Sequence, residues 1–199
     1  MTALRKTKIA LTPKTAPFAI RAEKVLDVVA REALLDACFG ENRHMRTCQR
    51  LRDGRAPAEG LAFSALADGR LVGTLRLWHV SAGGRPALML GPLAVDSLSR
   101  RLGVGTALMD HALAAATAQG HRAVILLGDA PYYARFGFSA QKTGELLLPG
   151  PFERERLLAL ELVQGALDGA CGMIAATGAP APKARAVRAR KAPHAVLAA

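Results

Sequence analysis

The chain has 199 residues, of which 51% are hydrophobic and 22% charged, a composition that fits one globular domain with a single core. Its net charge of +11 lies mainly at the ends: residues 1–14 contribute +4 and residues 178–199 contribute +5, which leaves +2 for residues 15–177. A nucleic-acid partner bound through these basic tails is therefore an alternative that the charge leaves open but does not favour.

Hydropathy and cysteine content indicate the compartment. No apolar stretch reaches the roughly 18 to 20 residues that a membrane helix needs, and residues 1–14 lack the apolar segment of a signal peptide. The three cysteines, Cys38, Cys48 and Cys171, show no Cys-x-x-Cys spacing and suit free thiols in a reducing compartment. We therefore expect a cytoplasmic protein without a membrane partner. Cys38, His44 and Cys48 fall short of the four paired ligands of a structural zinc site, so we expect no metal.

The N-terminal part predicts a basic arm, a strand and two helices. Residues 1–16 are basic and have little to bury, so we expect a mobile arm. Residues 18–21 resemble a short strand, and residues 23–39 carry apolar residues mostly at helical spacing up to Gly40. Residues 41–52 predict a second, strongly basic helix. Because a charge run on a helix is usually a solvated face, its arginines are left out of the predicted site.

A hairpin follows. Residues 60–66 and 71–80 predict two strands, since the Asp-Gly pair between them is a strong turn signal. Residues 81–86 predict the next turn. On the second strand, Trp78 could line a pocket and His79 could act as a base, but a core tryptophan and a structural histidine are the more common roles at such positions.

The centre of the chain predicts a strand, a glycine-containing turn and a helix. Residues 88–95 are an apolar run typical of a buried strand, and residues 107–119 are Ala-rich and free of Pro and Gly, as in a helix. The turn carries two arginines and two glycines: Arg100, Arg101, Gly103 and Gly105. Because a helix N-terminus presents unpaired N–H groups and a partial positive charge, this turn predicts a phosphate site. A plain turn is the alternative, and the sequence lacks the P-loop and dinucleotide motifs.

A second strand and a tyrosine motif follow. Gly120 ends the helix, residues 121–128 predict another buried strand, and residues 129–138 predict a short helical turn followed by a new strand. This last segment contains a Tyr-x-x-x-Gly-Phe motif: Tyr133, Gly137 and Phe138. Residues 156–162 predict one more strand. Residues 175–199 are rich in Ala, Pro and basic residues and predict disorder.

The two motifs, in this order, resemble the signature of the GNAT superfamily of acyl-CoA-dependent N-acyltransferases. That signature is a strand, a Gln/Arg-x-x-Gly-x-Gly/Ala loop, a helix, a strand and then Tyr-x-x-x-Gly-Phe. The strand at residues 156–162 and the Gly-Asp before a Tyr-Tyr pair are similar to a subgroup of small-molecule acetyltransferases. The resemblance covers residues 18–167.

The resemblance implies a fold and a domain organisation. The expected fold is α/β (α+β mixed), with a mostly antiparallel twisted sheet of about six or seven strands and helices on both faces. The expected acetyltransferase domain spans residues 17–168, between the basic arm of residues 1–16 and a disordered tail of residues 169–199.

The resemblance also implies an N-acetyltransferase that moves the acetyl group of acetyl-CoA to a small-molecule amine acceptor in a ternary complex. Tyr133 would be the general acid, because a tyrosine stays protonated at neutral pH; the neighbouring Tyr132 could be confused with it. The implied CoA-binding residues lie on the central strand and the following loop: Leu93, Ala94, Val95, Arg100, Arg101, Leu102, Gly103, Val104, Gly105 and Thr106.

Several features stay open at this stage. Glu23, His79 and Asp129 are candidates for the general base, without a spacing that favours one of them. The alternatives to an enzyme are a nucleic-acid-binding protein with basic tails and a sensor of CoA or acyl-CoA on the same fold. A homodimer is also left open, and the acceptor is not named by any residue pattern.

Overall fold

The structure is a computed structural model and describes residues 17–182. The strands are β1 (Ala19–Ala22), β2 (Ala62–Ala67), β3 (Arg70–Ala82), β4 (Arg85–Val95), β5 (Ala123–Leu127), β6 (Leu146–Leu147), β7 (Leu157–Glu161) and β8 (Gly172–Ala176). The α-helices are α1 (Val28–Phe39), α2 (Val104–Ala118) and α3 (Ala130–Ala134). Five 3₁₀ helices cover Val25–Asp27, Glu41–Met45, Thr47–Leu51, Ser97–Ser99 and Arg154–Arg156. The predicted mobile arm and the basic residues of the C-terminal tail lie outside the described residues.

The strands form one open sheet in the order β1-β2-β3-β4-β5-β7, to which β8 adds by pairing with β3, and β6 by pairing with β8. Only the β4–β5 and β6–β8 pairs are parallel. The predicted mixed, mostly antiparallel sheet is therefore confirmed, with eight strands where six or seven were expected.

Helices cover both faces of this sheet, as predicted. Leu75 of β3 packs with Leu108 of α2 in the larger core cluster, and α2 approaches so closely that a Cβ at Gly73 would lie 2.9 Å from the Leu108 side chain. On the opposite face α1 packs against β3 and β4. There Arg31 of α1 and Arg76 of β3 both pair with Glu23, and Arg76 alternates with Leu75 along the strand.

The prediction of a disordered tail from residue 169 is wrong for the part that the structure describes. Residues 172–176 form β8, which pairs with the end of β3 in the register Ala82↔Ile174 and Val80↔Ala176. Ile174 is fully buried in the second core cluster. The fold therefore continues past the predicted domain boundary at residue 168.

Local predictions in three other places needed correction. The second helix at residues 41–52 is instead two 3₁₀ helices, because Arg46 between them has an extended backbone (φ −67°, ψ 143°). The turn predicted at residues 81–86 is tighter, since β3 runs to Ala82 and β4 starts at Arg85. The strand expected after Phe138 is only an isolated bridge between Ser139 and Ala159.

Among residues 17–182, the structure contains no helix that is both long enough and apolar enough to cross a membrane.

Candidate active site

The site begins where β4 separates from β5. The two strands are parallel neighbours only at Leu88↔Val124 and Met89↔Ile125. Beyond that point β4 carries a bulge, because its register against β3 shifts between the partners of Leu75 and Leu77. The bulge bends β4 away from β5 and opens a cleft between the strands.

Trp78 supports the bulge from the core. Its indole Nε1 donates a hydrogen bond of 2.6 Å to the carbonyl of Gly91, and only 6% of the residue is exposed. Of the two roles considered for Trp78, the structure shows the core position, since the residue lies in the second core cluster. The tryptophan therefore helps to hold the cleft open without lining it.

Replacing Trp78 with phenylalanine should lower the free energy of unfolding by about 1–3 kcal/mol, because the Gly91 carbonyl loses its donor. The affinity for acetyl-CoA should fall as well, since the bulge is released. Denaturant unfolding and calorimetric titration would measure the two effects. An unchanged denaturation midpoint would contradict the role assigned to this hydrogen bond.

The edge of β4 past the bulge presents backbone groups to the cleft. The Asp96 N–H donates to the Val72 carbonyl of β3 at 2.9 Å. Because N–H groups of successive residues point to opposite sides of a strand, the Ala94 N–H also points to β3. The N–H groups of Leu93 and Val95 therefore point away from β3, to the side of the cleft. Cys38 of α1 reaches the same edge, where its thiol donates to the Val95 carbonyl at 3.5 Å.

The glycine-containing loop lies at the start of α2. Gly103 is the N-cap residue with a left-handed backbone (φ +82°), and Ala107 makes the first helical hydrogen bond back to it. The helix thus begins at Val104, three residues earlier than predicted, and the N–H groups of Val104, Gly105 and Thr106 have no partner within the helix. Arg100, Arg101 and Leu102 are exposed beside them.

Tyr132 connects this loop to the cleft. A Cβ at Gly105 would lie 3.0 Å from the Tyr132 hydroxyl and 3.6 Å from a methyl group of Val95. Glycine at this position therefore leaves the helix N-terminus open beside the edge of β4. Position 105 is where a side chain would close the predicted phosphate site.

A cavity of about 1030 Å³ occupies the cleft. Three of the residues predicted for the site line it, namely Leu93, Arg100 and Tyr133. Ala94, Val95 and residues 101–106 lie beside the cavity rather than on its wall. The structure thus brings the central strand and the tyrosine motif to one cavity and places the glycine-containing loop at its margin.

Tyr133 lies on α3, which follows directly after β5. Its ring packs at right angles to that of Tyr132, 4.9 Å between centroids, and against Phe138 at 6.0 Å. Burial, with smaller contributions from the neighbouring Tyr132 and Asp129 and against the effect of Arg156, raises the pKa of Tyr133 to about 12. The phenol is therefore protonated across the physiological range and is a proton donor.

Gly128 makes room for that ring. A Cβ at this position would overlap Tyr133, with Cδ2 of the ring 2.8 Å away. The glycine has no left-handed backbone to require it. Its lack of a side chain is instead what allows the Tyr133 ring to pack closely against Gly128 at the end of β5, a contact that no sequence pattern indicated.

The structure separates the three candidates for the general base. Glu23 is held by two guanidinium groups, those of Arg31 and Arg76. The ring of His79 is 5.3 Å from that of His121, and it is not among the cavity-lining residues. Asp129 lines the cavity, as does Glu153, which the sequence analysis did not single out.

The basic segment at residues 41–52 contributes to the site more than predicted. Arg43, Arg46 and Arg52 line the cavity, whereas Arg50 points away and donates to the Pro149 carbonyl at 2.6 Å. The interpretation as a solvated face therefore holds for only part of this segment. No signal in the sequence distinguished the two groups, because their difference arises from tertiary packing.

The three cysteines are free thiols. Across residues 17–182, no three His, Cys, Asp or Glu side chains are grouped so that they could hold a metal ion. The ionisable side chains that line the cavity are those of five arginines, two carboxylates, two tyrosines and Cys48.

Comparison with known proteins agrees with this geometry. A sequence profile described as the acetyltransferase (GNAT) family matches residues 29–138. The uncharacterized N-acetyltransferase YhbS of Escherichia coli strain K12 is 28% identical over 157 residues, which are 78% of this chain and 93% of that protein.

Two solved structures extend the comparison. The crystal structure of YhbS from Escherichia coli in complex with CoA has a TM-score of 0.71 at 28% identity, over 83% of this chain and 93% of that one. A GNAT family acetyltransferase from Brucella melitensis, solved in complex with acetyl-CoA, has a TM-score of 0.55 at 27% identity, over 77% and 99%. Since the profile alone matches more than half of its residues, the chain belongs to the GNAT acetyltransferase family.

Proposed function

We propose that the protein is an acetyl-CoA-dependent N-acetyltransferase that acts on an amine of a small acceptor by direct transfer in a ternary complex. The observation that carries the proposal is that the open β4 edge and Tyr133 meet at one cavity, with the N-terminus of α2 at its margin. The CoA and acetyl-CoA bound to the two family members described above support the same co-substrate.

The residues at the loop fit the phosphate groups of CoA. The N–H groups of Val104, Gly105 and Thr106 point out of the helix N-terminus, where an anion is stabilised. Gly105 leaves this end uncovered, and Arg100 and Arg101 add positive charge beside it. The pyrophosphate would therefore lie against the start of α2.

Acetyl-CoA supplies a thioester whose carbonyl carbon is open to attack by a neutral amine. The Leu93 N–H, at the open edge of β4, donates to the carbonyl oxygen as negative charge develops there. Asp129 accepts the proton that the amine nitrogen loses on forming the new C–N bond. Tyr133 donates its proton to the sulfur as the C–S bond breaks, so that the products are an N-acetylated acceptor and a free thiol.

Calorimetric titration of acetyl-CoA into the protein tests the co-substrate. Wild type should bind it, and the double variant Arg100→Glu with Arg101→Glu should lose binding, because two like charges then face the phosphate groups. An amine screen followed by thiol release would identify the reaction. Failure of the wild type to bind CoA species would overturn the proposal. Equal binding by the wild type and the double variant would show that the phosphate groups bind at a different place.

A further inference from the structure

The cavity has an unusual balance of charge. Five arginines line it, Arg43, Arg46, Arg52, Arg100 and Arg156, against the two carboxylates of Asp129 and Glu153. Some of this charge is neutralised locally: Arg43 pairs with Glu32 and Asp36, and Arg156 lies 3.6 Å from Glu153. Arg46, Arg52 and Arg100 form no ion pair with any Asp or Glu of residues 17–182.

Of the cavity arginines without an ion pair, Arg52 is the only partly buried one, whereas Arg46 and Arg100 are exposed. The Arg52 Nε donates to the Cys48 carbonyl at 3.0 Å, and no Asp or Glu of residues 17–182 forms an ion pair with this guanidinium. Residues 1–16 and 183–199 contain no Asp or Glu at all. A mostly buried guanidinium is costly unless an anion accompanies it.

The surroundings of Arg52 increase that cost. Burial lowers its pKa, and the nearby Arg43 and Arg46 lower it further, against the effects of Cys48 and Asp53. Arg46 is also free of ion pairs within the described residues; its guanidinium lies 4.9 Å from the centre of the Phe39 ring, on the exposed side of the cavity. The guanidinium groups of Arg46 and Arg52, at this end of the cavity, thus have no carboxylate partner within the described residues.

We infer that the acceptor is an amine that also carries an anionic group, a carboxylate or a phosphate, and that Arg52 binds this group with Arg46 beside it. The inference rests on the proposed function, since it names the acceptor class of the same site. Arg52 would act in specificity and take no part in bond breaking.

The arrangement also favours the reactive form of the amine. An ammonium group beside uncompensated guanidinium groups loses its proton more readily, because like charges disfavour the charged form. The anionic group is attracted by the same arginines. One set of charges therefore orients the acceptor and lowers the pKa of its ammonium group.

Pairs of amines that differ only in the anionic group test this inference. Thiol release would be measured with β-alanine against n-propylamine, γ-aminobutyrate against n-butylamine, and O-phosphoethanolamine against ethanolamine. Wild type should favour the anionic member by about 10- to 100-fold in kcat/KM, as for a charged hydrogen bond. A preference in the β-alanine and γ-aminobutyrate pairs would indicate a carboxylate, and a preference in the O-phosphoethanolamine pair would indicate a phosphate.

Variants of Arg52 test whether this residue causes the preference for anionic amines. Arg52→Gln should remove the preference, because the loss of kcat/KM is larger for the anionic member of each pair than for the member without an anionic group, and Arg52→Lys should keep part of the preference, because the charge remains. Arg122→Gln, which removes an exposed arginine outside the cavity, should behave as wild type. Survival of the preference in Arg52→Gln, or an equal loss for both members of each pair in a folded variant, would overturn the inference.

Two binding experiments distinguish failure of this inference from failure of the proposed function. If wild type acetylates no amine, calorimetric binding of β-alanine and O-phosphoethanolamine to the CoA complex still reports on Arg52, and no binding of either overturns the inference. CoA and dephospho-CoA should bind to Arg52→Gln as they do to wild type. Weaker binding of CoA by this variant would assign Arg52 to the phosphates of CoA and overturn its role in acceptor binding.

Discussion

Replacing Tyr133 with phenylalanine is expected to lower kcat by about 100- to 10,000-fold, the usual contribution of a general acid, while acetyl-CoA binding is retained. The departing thiolate would then have no donor in the position of the Tyr133 hydroxyl. Since burial raises the pKa of this phenol to about 12, wild-type activity should not fall near pH 10 through ionisation of Tyr133. Steady-state thiol release across this pH range and calorimetric titration would measure both effects.

Tyr132→Phe is the matched control for this experiment. The Tyr132 hydroxyl lies next to Gly105 in the glycine-containing loop, where the phosphate groups of CoA are proposed to bind. Its removal should therefore raise the KM for acetyl-CoA and leave kcat nearly unchanged. The opposite pattern, with kcat lost in Tyr132→Phe and kept in Tyr133→Phe, would exchange the roles of the two tyrosines. Full activity in both variants would mean that neither is the acid.

Replacing Gly128 with alanine should give a loss of kcat of about 100-fold, comparable to the cost of misplacing a reacting group by about 1 Å. The added Cβ would overlap the Tyr133 ring, with Cδ2 of that ring 2.8 Å away and a Leu126 methyl group 3.1 Å away, so the ring must shift to make room. The backbone at Gly128 can accept alanine, since it is not in the left-handed region. The loss should therefore come from displacement of the phenol, as kinetics and a thermal melt together would show.

Gly144→Ala is the matched control, because a Cβ at Gly144 would meet no atom within 4 Å. It should leave both activity and melting temperature unchanged. The double variant with Gly128→Ala and Tyr133→Phe should be no slower than Tyr133→Phe alone, since both changes act on the same proton donor. Independent losses that multiply would show that Gly128 affects the enzyme by another route.

Elements with a regular pattern were predicted well. The hairpin of β2 and β3 was marked by the Asp-Gly pair at its turn, and β5 and α2 by their apolar runs. The helix α2 nevertheless began three residues early, because Gly103 at its N-cap allowed the first turn to form immediately after the loop. A glycine in a sequence does not reveal whether it ends a loop or starts a helix.

The elements that were missed depend on distant contacts. Strand β8 contains only one buried side chain, Ile174, next to the half-exposed Met173 and three Gly or Ala residues, so it shows no alternation that would mark a strand. The extended backbone at Arg46, which divides the second helix, also has no local signal. Both are set by the parts of the chain against which they pack.

The candidate site divides in the same way. The tyrosine motif and the glycine loop were found because their spacing is local and tied to a known family pattern. The bond from Trp78 to Gly91, the overlap that Gly128 avoids and the missing counter-ion of Arg52 involve contacts that spacing does not encode. Motifs therefore indicated the proposed CoA site, whereas the proposed acceptor end follows only from packing and charge.

The pairing of β8 with β3 has a consequence for the order of folding during synthesis. The start of β3 pairs with β2 soon after both are made, and Val80 to Ala82 at its end pair with β4, but the other edge of this end waits for residues 174–176. Until then the end of β3 is an unprotected strand edge, of the kind that invites association with other chains. The nascent protein is therefore most vulnerable to misassembly late, when most of the sheet has already formed.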